Sequence, residues 1–188
     1  MSIAKTYVSL LVAAVALSGC STAPSSAGAN GGSIVESSYL GADRIALQIG
    51  GNSSDVGPVL VTSLANVNTL DTSSAFGRIS ADEIGSRLSQ RGFLVLEARM
   101  RNALLMRPGG EFMLSDEVRS VAQQQKAGSV LVGTYADSGS QAIVSLKLIR
   151  VADSTVIASS DYVVPIADDS HDALLANAGT TVKTFRVY

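Results

Sequence analysis

Apolar and polar positions change their spacing several times along this chain, and each change marks an element. Residues 7–17 form an apolar run without charge. Residues 21–33, STAPSSAGANGGS, have neither a charge nor a large apolar side chain. A stretch of that kind buries too little surface to fold and acts as a flexible tether. In residues 34–50, Ala42, Ile45, Ala46 and Ile49 recur at helical spacing, and Gly50-Gly51 offers a stop. This segment reads as a short helix or, alternatively, as a loosely ordered lead-in. After Gly57-Pro58, the β-branched run at 59–64 predicts a buried strand, and the polar residues 66–74 predict a loop.

A helix is expected from about Ser74 to Arg91. Phe76, Ile79, Ile84 and Leu88 fall on one half of its wheel, interrupted by Glu83 and Arg87, whose spacing of four suits an ion pair. Ser73 or Ser74 suits the cap, but Ser80-Ala81-Asp82-Glu83 also has capping-box spacing, so the start is open by several residues. Gly92 ends the helix and residues 93–98 predict a second strand, which makes a β-α-β unit. Residues 99–114 are less regular and contain Pro108-Gly109-Gly110. Ser115 then caps a helix with Asp116 and Glu117 in its first turn, where the dipole favours negative charge. Val118, Val121, Ala122 and Gln125 share one face of that helix, and Gly128 closes it.

Residues 129–165 carry the strongest strand pattern. A run at 130–135 leads to a turn at 137–140. Ala142, Val144, Leu146 and Leu148 then alternate against Ser145 and Lys147. After a second turn at 152–155, Val156, Ala158, Tyr162 and Val164 are expected on one face of a last strand. The order β-α-β-α-β-β-β predicts an α/β fold in a single domain. It has a mixed sheet of about five strands, helices packed on the sheet and a C-terminal antiparallel meander. A short helix around 169–178 and a tail complete the chain.

The one cysteine changes the picture most. Cys20 closes Leu17-Ser18-Gly19-Cys20, directly after the apolar run, and Lys5 precedes that run. A positive start, an apolar core and small residues at the end are the pattern of a secretory leader, too short for a span of about 20 residues. The four residues resemble the lipobox of bacterial lipoproteins. That resemblance implies cleavage before Cys20, a diacylglyceryl thioether on its sulfur and acylation of the new amino terminus. Ser21 in the next position implies sorting to the outer membrane. The other reading is an ordinary signal peptide with a chance cysteine. The expected organisation is a leader at 1–19, a lipidated Cys20 and linker at 20–33, and the α/β domain at 34–188 with its core at 58–165. Several acyl chains would hold the protein on the membrane, where one binds only reversibly. With no second cysteine, no intrachain disulfide can form.

Charge and chemistry narrow the function by exclusion. The whole chain has a formal charge of −2, and removal of the leader takes away one lysine more. That balance gives no support to nucleic-acid binding. His171 is the sole histidine, in the polar stretch Asp168-Asp169-Ser170-His171-Asp172, and is expected to be an exposed surface residue. No G-x-S-x-G elbow accompanies it. The acidic residues beside it suit at most a weak cation site, because metal sites draw ligands from a rigid frame. Neither Gly50-Gly51 nor Gly109-Gly110 continues into a phosphate loop. Asp82-Glu83 and Asp116-Glu117 are adjacent on helices and do not share a face; a carboxylate pair formed across the fold stays open. No catalytic residue, cofactor, metal or small-molecule substrate is therefore expected. Arg99, Arg101 and Arg107 read either as a solvated loop or as a contact patch for an acidic partner, since guanidinium pairs well with carboxylate.

Several short motifs combine. Val61-Thr62-Ser63-Leu64, Phe76-Gly77-Arg78, Leu88-Ser89-Gln90-Arg91-Gly92-Phe93, Leu114-Ser115-Asp116-Glu117, Val132-Gly133-Thr134-Tyr135 and the ribbon at 149–159 resemble, in this order, the FlgO family of flagellar outer-membrane lipoproteins. The resemblance covers about 58–165. It implies a non-catalytic structural or assembly role in the flagellum, supporting motility, with the membrane and other flagellar or envelope proteins as partners. The alternative is a periplasmic lipoprotein binding module that regulates or supports another envelope machine, a secretion channel or a cell-wall synthase.

Overall fold

Val59, Leu60, Val61 and Thr62 are all buried, as a strand covered on both faces must be. They form β1 (Val59–Thr62), which lies inside a mixed sheet. In this computed structural model, which describes residues 33–50, 53–70, 73–98, 104–106, 112–167 and 171–175, β1 has a parallel neighbour on each side. These are β3 (Val95–Ala98) and β6 (Ser129–Asp137). The short β2 (Ala65–Asn66) prolongs the line of β1 after a break at Ser63 and Leu64, pairing Ala65 with Thr134 and Asn66 with Tyr135. From β6 the sheet runs antiparallel through β7 (Gln141–Arg150) to β8 (Val156–Pro165), in the order β3-β1-β6-β7-β8. The expected α/β domain with its C-terminal meander is the fold that forms. A separate two-stranded hairpin, β4 (Leu104–Met106) with β5 (Phe112–Leu114), occupies the stretch read as irregular.

Residues 34–50 are a helix rather than a lead-in. In α1 (Ile34–Gln48), Ser33 and Glu36 exchange side-chain and backbone hydrogen bonds as a capping box, and Gly50 follows the end at φ +68°. A short α2 (Ser53–Val56) leads to Gly57. Ser74 caps α3 (Ala75–Gln90) by accepting from the Gly77 N–H, so the alternative start at Ser80 is not used. Ser115 caps α4 (Asp116–Gln124) in the same way. Near the end comes α5 (His171–Leu175), within the helix expected at 169–178. Among the described residues, no helix is long and apolar enough to cross a membrane.

Connection direction decides the layers. The chain moves from β1 to β3 through α3, then back past β1 to β6 through α4. Right-handed crossovers in opposite directions put their helices on opposite faces. One core joins Ala42 and Ile45 of α1 and Phe76, Ile84 and Leu88 of α3 to Val61, Leu131, Tyr135, Val144 and Leu146. Leu175 of α5 belongs to the same core. The other core sets Val118 and Ala122 of α4 on Leu60, Val130, Val132 and Ile149.

Several local expectations change. Val156 is 48% exposed, not inward, because the register shifts between Leu148 and Ile149 and the bulge reverses its phase relative to Ala158. Arg87 pairs with Asp43 of α1 rather than with Glu83 four residues away. Residues 66–74 are not wholly loop: Asn66 belongs to β2 and bridges Thr69.

Candidate functional site

After β1 the chain leaves the sheet on one face through α3, and after β3 it crosses to the other face. Crevices in α/β sheets form at the carboxyl ends of strands where such connections diverge. A groove of about 280 Å³ lies at that end of β1, lined by Ser63, Ala75, Arg78, Ile79 and Asp82. The last four are on the first two turns of α3, and Ser63 comes from the break between β1 and β2. Gly77 is what lets the helix sit so close. A side chain there would run into the Leu64 carbonyl and the Ser73 hydroxyl. The Leu64 N–H in turn donates to the Gly77 carbonyl at 3.1 Å. Ile79 was expected on the buried half of α3 but is 39% exposed at this groove. The Arg78 Nη1 donates to the Ser73 carbonyl at 2.9 Å, which ties the guanidinium to the residue before the helix cap. The groove thus presents a guanidinium, a carboxylate one turn on and a hydroxyl, all able to hydrogen-bond or ion-pair.

His171 is more engaged than a surface histidine. Its Nε2 lies 3.0 Å from Asp137 Oδ1 at the end of β6, and its Nδ1 lies 3.3 Å from Asp172 Oδ1. The hydrogen bond to Asp137, then that to Asp172, raises the imidazole above its ordinary pKa. The same contact lowers the Asp137 carboxyl, with help from the Gly139 N–H. The cluster ties α5 to the sheet. Among the described residues, no group of three or more His, Cys, Asp or Glu is placed to hold a metal ion.

A third charged cluster joins α1 to α3. Asp43 Oδ1 and Oδ2 accept from Arg87 Nε and Nη2 at 2.8 and 2.9 Å, and Arg91 Nε donates to Oδ1 at 2.7 Å. The two guanidiniums, Arg87 first, hold this carboxyl well below the usual carboxylate range. Arg87 also lies over the Tyr39 ring, 5.2 Å from its centroid.

Cys20, Arg99, Arg101 and Arg107 lie outside the described residues. The groove, the clamp on His171 and the pairing of Asp43 were not foreseen. Arg78 and Asp82 stand four apart in the sequence, a spacing that hinted at one helix face. Asp137 and His171 are 34 residues apart, and no local spacing signals their contact.

Residues 41–169 match the family model described as FlgO protein. The chain belongs to the FlgO family. The matched span runs from α1 through β8, so the FlgO family region contains the whole sheet, the groove and the Asp43 cluster. No curated protein matches the sequence. Among solved structures, the LpoB C-terminal domain from Escherichia coli is similar at 13% identity, covering 68% of this chain and 97% of that one with a TM-score of 0.46. The LpoB C-terminal domain from Salmonella enterica is similar at 13% identity, covering 68% and 98% with a TM-score of 0.47. The PelC dodecamer from Paraburkholderia phytofirmans is similar at 18% identity, covering 58% and 71% with a TM-score of 0.38.

Proposed function

We propose that this FlgO-family protein is a lipid-anchored protein of the outer membrane that serves the flagellum by contact rather than by catalysis, and so supports motility. The observation that carries this reading is the family match over residues 41–169, downstream of a leader that ends in the lipobox-like Leu17-Ser18-Gly19-Cys20. Cys20 bears the lipid, residues 21–33 give reach, and the α/β domain presents the contact surfaces. Arg78 and Asp82 at the groove, with Arg99, Arg101 and Arg107, are the groups proposed to meet other flagellar or envelope proteins. A guanidinium takes a carboxylate in two parallel hydrogen bonds, which gives such a contact orientation as well as strength.

Deletion of the gene tests the reading. The expected result is poor swimming with fewer or unstable filaments, restored by the intact protein. The Cys20→Ser variant should be released from the membrane or left unprocessed, and should not restore swimming. Normal swimming and normal filaments in the deletion strain would overturn the flagellar role. A Cys20→Ser protein of normal size in the outer-membrane fraction would overturn the anchor.

A further inference from the structure

The two edges of the sheet are finished differently. At β8, α1 supplies side chains that occupy three of the strand's outward backbone groups. Gln48 pairs with the Ser159 N–H and carbonyl, and Arg44 with the Asp161 carbonyl. At the opposite edge, β3 pairs only with β1 among the described residues. The Val59 N–H donates to the Leu94 carbonyl at 2.8 Å, and Val59 stands opposite Val95. In a parallel ladder that phase turns the backbone of Leu94 and Leu96 toward β1 and that of Val95 and Glu97 away from it. Among the described residues, the outward N–H and C=O groups of Val95 and Glu97 thus form a short open edge.

A groove of about 430 Å³ runs beside this edge, lined by Gly85, Ser86, Ser89 and Val95. Gly85 leaves it open: a side chain there would meet Val95 and Val61 only at ordinary contact distance. Ser86 and Ser89 are exposed and bring hydroxyls. On the other face of β3, Leu94 is 65% exposed, a large apolar side chain at the entrance to the strand. Natural sheets blunt their edges with charge, proline, bulges or a covering element. α1 covers β8 in this way, whereas β3 carries a single charged residue, Glu97, and among the described residues no proline, bulge or covering element.

We propose that β3 is a strand-addition site for an extended segment of another envelope protein. The open row of backbone donors and acceptors specifies an extended backbone as the occupant, as in other modes of strand addition. Side chains of an added strand alternate in direction. Those on the α3 side face Gly85, Ser86 and Ser89, which suits a medium-sized side chain with a hydrogen-bonding end. Those on the other side meet Leu94, which suits an apolar residue. Head-to-tail addition of copies through β8 is opposed, because Gln48 and Arg44 already occupy backbone groups of that edge at Ser159 and Asp161. The inference needs only that the protein act by contact, and it stands apart from the flagellar assignment.

A photo-crosslinking amino acid at Leu94, or separately at Ser86, in the full-length protein in living cells tests the site. Crosslinks from both positions should fall within one short segment of a different protein. The Val95 and Glu97 amides should exchange fast in the purified protein and gain protection in the recovered complex. Ser86→Arg combined with Ser89→Arg should abolish the Leu94 crosslink without lowering the unfolding midpoint. Absence of crosslinks, crosslinks to this chain's own residues, crosslinks to β3 of a second copy, or scattered crosslinks without added amide protection would each overturn the proposal. A deletion strain that swims normally removes the flagellar role and leaves the crosslink to be scored by itself.

Discussion

The side-chain amide of Gln48 hydrogen-bonds both backbone groups of Ser159. Its Nε2 donates to the carbonyl at 2.6 Å, and its Oε1 accepts from the N–H at 3.2 Å. A primary amide has the donor and acceptor layout of a peptide unit, so one side chain of α1 takes the place of a neighbouring strand. Gln48→Ala should lower stability by about 1 kcal/mol, measured by denaturant melts of the soluble domain. It should also speed amide exchange at Ser159. With Arg44→Ala added, the freed edge should promote concentration-dependent self-association in sedimentation. A double variant that stays monomeric with unchanged exchange at Ser159 would show that these side chains do not guard the edge.

The same helix depends on Gly41. A Cβ at that position would lie 2.5 Å from Tyr162 Cε1. In an exposed helix, glycine to alanine gains up to about 1 kcal/mol from propensity. Here overpacking should outweigh that gain by about 1–3 kcal/mol. Gly41→Ala should therefore lower the unfolding midpoint, and Tyr162→Leu in the same chain should recover part of the loss. A rise in midpoint with Gly41→Ala alone would mean that α1 has room to move off β8.

Asp43 joins α1 to Arg87 and Arg91, and its carboxyl is held down by both guanidiniums. A depressed carboxyl contributes stability above its unfolded value of about 3.9, and loses it as pH falls through the folded value. The domain should weaken progressively below that unfolded value. Asp43→Asn should be less stable at neutral pH and should lose less on acidification. Parallel pH profiles for the two proteins, from melts at several pH values, would remove Asp43 as a source of the acid sensitivity.

His171 has the opposite sign. Its pKa is raised by Asp137 and Asp172, so its contribution is full below the unfolded value of about 6.5 and is lost as pH rises through the folded value. The loss should be local to α5, because Leu175 still packs into the core. NMR titration should show the imidazole titrating above an ordinary histidine, with α5 amides exchanging faster once it is neutral. Asp137→Asn should bring that titration down. A His171 titration unmoved by Asp137→Asn would mean that the ring does not hold the contact in solution.

Apolar spacing, caps and turn residues together marked the long elements, with residues 34–50 left open between a helix and a lead-in. The all-buried β1, the alternation along β7, the capped α4 and the stop after α1 were legible because burial and backbone chemistry repeat locally. The family resemblance carried by motifs between 58 and 165 was legible too, and the family match agrees with it. The hairpin of β4 and β5 was missed because its three-residue strands are too short for a periodic signal. Val156 was assigned to the wrong face because a bulge breaks the period of two without any glycine or proline to announce it.

What only the tertiary structure decided are the pairings between distant segments. Arg87 had two carboxylates in reach, Glu83 along its own helix and Asp43 on another. The packing of α1 on α3 brings Asp43 to both Arg87 and Arg91, a bidentate and shared contact that an exposed pair along one helix does not match. Gln48 reaches Ser159 across 111 residues, and His171 reaches Asp137 across 34. Local spacing sets which way a side chain points from its own helix or strand. Which group it meets depends on how the helices and strands are stacked, and that is fixed by the burial of both faces of the sheet together.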